Sequence, residues 1–435
     1  MPTAHLWAED PTTLPMAAYA LSCLLLPIGW TVHVLDHPRY CPRNAPLITY
    51  GTAIPAETRP PHIHIAASPF FGTAFGSPAS VPGGPLHWDG DLPILFTGPP
   101  SDQRHDAAGR IMTQIDLLAG TFFLLTRYEE AILHGQNAEG RMLPLHAVAG
   151  REGFIDWPVV DVMRERLFGW LQLLGFPVAR LQPWDRPFAL ALTHDVSHLL
   201  PTGPLSRWRQ RHRRAATPLR HLDSWLDTEA TRHIQATYFL PLRTTRTTWP
   251  ISRSFRRQAT RIAHAGHEIA GLLPRHRTDR APSTPLTEQH PHTGKPLRGV
   301  RQTGWCWDAA SVPAALAVHG FDYDCSLGFP DRPSFRCGTT WPFPLFDLGT
   351  RQPTDVWEVP MLCAGTAWLQ ADISRIEQTL TRFGGLMALD WSDAQSDGDT
   401  GYDGLVGALQ ASGHTLGSVV HLLSGFLAVL PNDLL

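Results

Sequence analysis

Acidic and imidazole side chains gather around residue 195, where they could bind a metal or move a proton. Asp195 follows the apolar run of residues 188–193 and has His194 and His198 close by. A carboxylate at such a position can serve as a general base, and imidazole nitrogens with carboxylate oxygens form the mixed ligand set of Zn²⁺ and other transition metals. Asp195, His198 and His276 could form one such site. In a chain with 22 histidines, however, ordinary structural histidines explain the pattern as well.

Other reactive residue types give weaker indications. The sequence contains no G-x-S-x-G, P-loop or G-x-G-x-x-G motif. Cys325 would need a nearby base and a lowered pKa to act as a nucleophile, and a buried structural thiol is the alternative. Asp390 and Asp393 flank Trp391 near the end of a predicted strand. They could supply carboxylates to a site or lie in a solvated loop.

Short apolar runs predict the elements that position these residues. Continuous runs of this kind indicate buried parallel strands, with the chemistry at their carboxyl ends. In the second half of the chain they occupy residues 188–193, 234–240, 268–273, 356–361 and 385–389. Helical patterns at residues 253–265 and 309–319 lie between them, so we expect βα units that form a mostly parallel sheet or barrel.

The first half of the chain is predicted to be a separate α/β unit. The patterns predict helices at residues 17–26, 115–133 and 159–174, and strands at residues 31–35, 63–67 and 92–96. Segment 181–187, with two prolines and a tryptophan, is the linker candidate. We therefore predict two domains, at residues 1–180 and 188–435.

Composition limits the compartment and the partners. The 435 residues are 43% hydrophobic and 17% charged, with a net charge of −3, which is typical of a soluble globular protein and gives no reason to expect a nucleic acid partner. The basic segment 206–214 could bind phosphate or form a solvated helix face. The apolar run 16–30 is too short to span a membrane, and Glu9 and Asp10 precede it in place of a positive region. A cytoplasmic protein with reduced cysteines is expected, and the oligomeric state stays open.

Several blocks of sequence are similar to one known family. In order along the chain they are A-L-T-H-D-V at 191–196, A-T-Y-F at 236–239, G-H-E-I-A-G-L at 266–272, G-V-R-Q at 299–302, G-F-D-Y-D-C-S-L-G-F at 320–329 and F-R-C-G-T-T-W-P-F-P-L-F-D at 335–347. They resemble the branch of polysaccharide deacetylases (NodB homology, carbohydrate esterase family four) whose first motif is L-T-H-D-V-D. The block I-D-L-L-A-G-T-F-F-L-L-T-R-Y-E-E at 115–130 is similar to the uncharacterised domain that precedes this branch.

The resemblance implies a fold and a reaction. The fold would be a distorted (β/α) barrel of the NodB-homology type, preceded by a smaller α/β domain. The reaction would be metal-assisted hydrolysis of N-acetyl groups on a carbohydrate, with a divalent metal of the zinc or cobalt type held by one Asp and two His. Asp195 matches the base that takes a proton from water, and Arg301 matches the arginine that orients this base. A late histidine would protonate the leaving amine.

This sequence departs from the family at the metal and acid positions. The second acid of the first motif is Ser197, and the first histidine of the H-x-x-x-H pair falls on Leu272, or on Leu273 if Ala270 is an insertion. His276 then matches the second histidine. Thr303 stands where the branch has a histidine after G-V-R-Q, and Ser392 replaces the late acid histidine.

These departures predict that the family activity is reduced or lost. Changes next to metal ligands cost about 10–100-fold, loss of a ligand costs more, and loss of a general acid costs about 10²–10⁴-fold. One alternative is a non-catalytic protein that binds a glycan or another protein and needs no metal. The other is a metal site rebuilt from Asp195, His198 and His276.

Overall fold

A computed structural model shows a mixed α/β protein built on two large sheets and a two-stranded hairpin. It describes residues 2–55, 58–100, 104–105, 109–133, 141–196, 221–242, 253–273, 297–369, 371–392 and 400–431. The predicted site residues Ser197, His198 and His276, together with Asp393 and the basic segment 206–214, lie outside the described residues.

The first sheet belongs to the amino-terminal half and has the order β2-β1-β3-β4-β8-β7. Its strands are parallel except for β7. Strands β5 and β6 of the same half form a separate antiparallel hairpin. The strands are β1 (Thr3–Ala8), β2 (Thr31–Val34), β3 (Leu47–Gly51), β4 (His62–Ala66), β5 (His87–Asp89), β6 (Leu92–Ile94), β7 (Arg104–His105) and β8 (Arg110–Thr113).

The second sheet has the order β14-β15-β13-β12-β11-β10-β9-β17-β16, and β18 adds to β9. All its pairings are parallel except that of β14 with β15. The strands are β9 (Phe188–Asp195), β10 (Thr237–Pro241), β11 (Glu268–Leu273), β12 (Gly299–Gln302), β13 (Tyr323–Asp324), β14 (Phe343–Asp347), β15 (Gln352–Glu358), β16 (Met361–Ala364), β17 (Gly385–Asp390) and β18 (Thr415–Gly417).

Helices cover the sheets and join their strands. They are α1 (Leu14–Leu25), α2 (Leu117–Leu125), α3 (Tyr128–Leu133), α4 (Val148–Arg151), α5 (Val159–Leu173), α6 (Leu222–Thr231), α7 (Arg253–His264), α8 (Val312–Val318), α9 (Gly365–Leu369), α10 (Ile373–Phe383), α11 (Thr400–Ala411) and α12 (Val419–Leu427).

The second sheet is curled into a half-barrel. Three strands separate β12 from β17 in the sheet order, so side chains on these two strands would lie about 19 Å apart in a flat sheet. Instead, Arg301 of β12 and Asp390 of β17 are in contact at 2.5 Å. Apolar side chains of α12, including Val419 and Phe426, pack inside the curl. The backbone N–H of Val419 donates to Thr237 Oγ1 at the amino end of β10, so α12 closes the amino end and leaves the carboxyl end as the mouth.

Two predicted elements are each divided into two, and the strand expected over residues 234–240 begins only at Thr237. The helix expected over residues 115–133 is divided into α2 and α3, because Arg127 has a φ of +52°, which a right-handed helix cannot accommodate. The strand expected over residues 356–361 is also divided, since β15 ends at Glu358 and β16 begins at Met361.

One stretch among the described residues, Pro11–Ile28, is apolar and long enough to cross a membrane by composition alone. About 61% of it is buried inside the protein. The central helix of a soluble domain has the same properties, and α1 lies in the larger hydrophobic core.

Candidate active site at the barrel mouth

Side chains near the carboxyl end of β9 alternate between the two faces of the curled sheet. Successive residues of a strand point to opposite faces. Thr193 therefore points inward, and its hydroxyl lies 3.1 Å from Asp390 Oδ1. Asp195 shares this inward direction and is 6% exposed. His194 points outward, so adjacent residues of the T-H-D motif serve two different sites.

Arg301 bonds to several groups on the inward face. Its guanidinium contacts Asp390 Oδ1 at 2.5 Å, Thr193 Oγ1 at 2.9 Å and the carbonyl oxygen of Cys325 at 2.8 Å. The ring of Phe239 lies 4.0 Å from the guanidinium carbon. Burial alone would lower the pKa of Arg301, but the charge of Asp390 together with the contributions of Cys325 and Asp195 outweighs burial and raises it.

Arg301 therefore forms a buried ion pair with Asp390, whereas the sequence predicts Asp195 as its partner. The charge of Asp195 also acts on Arg301, although less strongly than that of Asp390. Asp390 is 2% exposed, so the solvated loop considered for it is wrong, and its carboxylate lies inside the half-barrel. Its charge is neutralised by the guanidinium, which leaves it a poor metal ligand.

The described residues of the mouth do not fit a divalent metal. Leu272, at the first predicted histidine position, lies in the apolar cluster inside the curl and has no donor atom. Thr303 donates its hydroxyl hydrogen to the carbonyl oxygen of Leu273 at 2.6 Å. Ser392, at the predicted acid position, offers only a neutral hydroxyl. Within the described ranges, no three His, Cys, Asp or Glu side chains are placed to hold one ion.

His194 belongs to a polar cluster on the outer face of the sheet. Its ring lies between Trp225 and Tyr238, with centroid distances of 4.5 Å to each. Nδ1 lies 2.8 Å from the carbonyl oxygen of Trp391 and therefore carries a proton, because a carbonyl can only accept. Nε2 lies 2.9 Å from Glu229 Oε1.

Glu229 is the centre of this cluster. It also accepts hydrogen bonds from the hydroxyls of Tyr238 and Tyr402, at 2.7 and 2.8 Å, and His267 Nε2 lies 3.4 Å away. Burial would raise the pKa of Glu229, but His194, His267 and the hydroxyl of Tyr238 together outweigh burial, and the pKa is lowered. His194 and His267 therefore anchor α6 and α11 to the sheet, on the face opposite Asp195.

The cysteine of the Y-D-C-S block is structural. Cys325 is fully buried, and burial raises the pKa of its thiol to about 12. Its sulfur lies 3.2 Å from the sulfur of Met361. A thiol with so little thiolate at neutral pH is not a nucleophile, and the alternative of a buried structural thiol is correct.

Comparisons with known proteins give a coarse placement. A family of unknown function, DUF7033, matches residues 8–175, and no curated protein matches the chain.

Three solved structures of other proteins are similar to this chain at low sequence identity. A protein from Mycobacterium smegmatis provisionally classed as a polysaccharide deacetylase has 17% identity and a TM-score of 0.40, over 58% of this chain and 94% of its own. A CE4 family pseudoenzyme from Bacillus anthracis has 12% identity and a TM-score of 0.30, over 57% and 73%. A mutant of the peptidoglycan deacetylase PdaC from Bacillus subtilis has 13% identity and a TM-score of 0.31, over 57% and 95%. At these values the similarity assigns neither a family nor an activity.

Proposed function

We propose that this protein is a polysaccharide-deacetylase-like protein of the NodB-homology type whose barrel mouth binds N-acetylated carbohydrate with reduced or lost hydrolytic activity. The proposal keeps Asp195 and Arg301 as the inherited polar residues of the mouth. In the active family, a divalent metal would polarise the acetamide carbonyl and activate the attacking water. The residues described at the mouth are poorly suited to hold that metal.

The observation that carries the proposal is the buried ion pair between Arg301 and Asp390. It uses the guanidinium that would orient the base, and it neutralises a carboxylate that could otherwise have replaced a missing ligand. Leu272 adds an apolar side chain where an imidazole is needed. A carbohydrate can bind with this ion pair and Leu272 in place, because hydroxyl and amide groups of a sugar can bind to Asp195 and the neighbouring polar side chains.

Metal content tests the proposal directly. Protein purified without chelator should contain far less than one equivalent of zinc or cobalt by mass spectrometry, because carboxylate and imidazole donors are required for tight binding. It should also release little acetate from an N-acetylglucosamine tetramer. A stoichiometric metal that is lost in Asp195→Ala would contradict the proposal and favour the site rebuilt from Asp195, His198 and His276.

Restoration of the donors supplies the matched experiment. The triple variant Ser197→Asp, Leu272→His, Ser392→His should gain metal and acetate release together, while Ser392→His alone should gain neither. A folded triple variant that binds no metal would show that the motifs have been aligned to the wrong positions. Binding of the N-acetylglucosamine tetramer to the unmodified protein, measured by calorimetry, should weaken in Asp195→Ala. Unchanged binding would rule out the mouth as the carbohydrate site.

A further inference from the structure

An open groove of about 640 Å³ lies where the amino-terminal half meets the half-barrel. Its floor is one face of α5, with Val162, Glu165, Gly169 and Leu173 spaced three or four residues apart. Arg382, near the end of α10, forms the opposite side. Since α10 leads into the amino end of β17, the groove lies at the other end of the half-barrel from Asp195.

Gly169 deepens the floor of the groove. A glycine inside a helix destabilises it by about 0.5–1 kcal/mol relative to alanine. Packing explains Gly120 in α2, because a Cβ there would lie 2.5 Å from Met163 Cε. A Cβ on Gly169 would meet no atom within 4 Å. Neither packing nor backbone conformation requires this glycine, and its effect is to leave open space in the groove.

The charged side chains along the groove are already paired. Arg382 bonds to Asp91 and to Glu165, both at 2.8 Å. Arg166 bonds to Asp89 at 2.8 Å. Two arginines and two acids line the groove, so it carries no net charge to attract an ion. The paired groups still offer neighbouring donors and acceptors at fixed positions.

The remaining lining is apolar. Trp170 supplies an indole surface, and Leu173 is 62% exposed. A ligand that fits must combine an apolar face with several neutral hydrogen-bonding groups. Sugar rings do so, since their C–H faces pack on aromatic rings while their hydroxyls both donate and accept. The volume lies within the range of about 300–1,000 Å³ that is usual for small-ligand sites.

We propose that this groove binds a neutral oligosaccharide, with a sugar ring against Trp170 and hydroxyl groups bonded to Glu165 and Arg382. The site is separate from the mouth and does not depend on the function proposed there.

Calorimetry on the full chain tests the proposal with three neutral probes, the tetramers of N-acetylglucosamine, of β-1,4-linked glucose and of α-1,4-linked glucose. At least one should bind, and Gly169→Leu should weaken that binding by about tenfold or more, because the new side chain fills the groove. The same variant should be as stable as the parent or more stable, since leucine favours helix over glycine. Misfolding would therefore not account for the loss.

Gly404 provides the matched control. It lies inside α11, and a Cβ there would also meet no atom within 4 Å. Gly404→Leu should change stability in the same direction and leave binding unchanged. Equal weakening by Gly404→Leu, or no binding of any of the three probes, would overturn the proposal.

Two further measurements test where the probe binds and whether charge contributes to its binding. Binding to the groove should persist in Asp195→Ala. If Asp195→Ala abolishes binding and Gly169→Leu does not, the carbohydrate lies at the mouth and only the groove proposal fails. Affinity should also change little with added salt, because neutral ligands are not screened. A steep salt dependence for these neutral probes would be inconsistent with binding through hydroxyl groups and a sugar ring, and it would overturn the proposal.

Discussion

Glu130 and Arg336 form a bidentate ion pair in the buried interior between the two halves of the chain, with nitrogen to oxygen distances of 2.6 and 3.0 Å. Arg127 also bonds to Glu130, at 2.8 Å, and to the carbonyl oxygen of Arg336. Both opposing charges lower the pKa of Glu130 despite its burial. The sequence blocks at 115–130 and 335–347 therefore meet in a buried structural joint between the two halves.

We predict that Arg336→Met destabilises the protein by about 3–5 kcal/mol, because Glu130 loses one of its two buried cations. Urea unfolding followed by circular dichroism measures the change. The matched control is the exposed pair of Arg375 with Asp156, which also links the two halves, at 3.0 Å. Arg375→Met should cost less than about 1 kcal/mol. Equal losses of unfolding free energy in the two variants would show that the buried ion pair stabilises the protein no more than the exposed pair does.

Asp324 and Glu358 should make the stability of the folded protein depend on pH. These carboxyl groups are buried on the neighbouring strands β13 and β15, in register. Burial raises the pKa of Asp324 to about 6, and burial together with the charge of Asp324 raises the pKa of Glu358. A raised pKa in the folded state means that the folded protein holds protons more tightly than the unfolded chain. This stability is present at acidic pH and is lost as the pH rises through about 6.

We predict that Glu358→Gln removes the loss of stability that accompanies the rise in pH. Glutamine keeps an acceptor for the backbone N–H of Leu327, which now bonds to Glu358 Oε1 at 2.9 Å, and its amide can donate to Asp324. The difference in unfolding free energy between the variant and the parent should grow as the pH rises from about 4, where carboxyl groups of an unfolded chain titrate, through about 6, by up to ~1.4 kcal/mol per pH unit for one proton. A difference that does not change with pH would mean that Glu358 does not hold a proton more tightly in the folded protein than in the unfolded chain.

Much of the fold could be predicted because buried parallel strands have a continuous apolar sequence. Residues 268–273 were predicted to the residue, and β9 and β17 were found with their carboxyl ends slightly too short. The antiparallel pair β14-β15 has no such run over its whole length, since residues 352–355 are exposed or half-buried. The break at Arg127 could not be predicted either, because the joint with Arg336 holds this residue in a left-handed conformation.

The candidate site was harder to predict, because its contacts join distant parts of the chain. The partner of Arg301 lies 89 residues away, and no spacing rule identifies it. Glu229 did carry a signal that the sequence analysis missed. It follows Leu222, Trp225 and Leu226 at helical spacing on the buried face of α6, and a carboxylate in an apolar stripe indicates a buried polar partner.

The Glu229 cluster should respond strongly to the loss of one charge. We predict that Glu229→Gln destabilises the protein by about 3–5 kcal/mol, because His194 then faces a neutral amide in a fully buried site. The lowered pKa of Glu229 also means that its contribution is present at neutral pH and is lost as the pH falls through the folded pKa. Acid unfolding of Glu229→Gln should therefore be less steep than that of the parent. A variant as stable as the parent at pH 7 would show that the bonds of Glu229 to His194, Tyr238 and Tyr402 do not stabilise the protein.

The ion pair of Arg301 can be assigned by two double-mutant cycles. We predict that Arg301→Met costs about 3–5 kcal/mol, because Asp390 is left buried without a cation. Addition of Asp390→Leu should recover most of this loss, which gives a coupling energy of about 2–3 kcal/mol from urea unfolding. The cycle of Arg301→Met with Asp195→Asn should give a coupling below about 1 kcal/mol, since Asp195 acts on the guanidinium less strongly than Asp390 does. A larger coupling to Asp195 than to Asp390 would restore the family's arginine–base pair and remove the main support for a site with reduced activity.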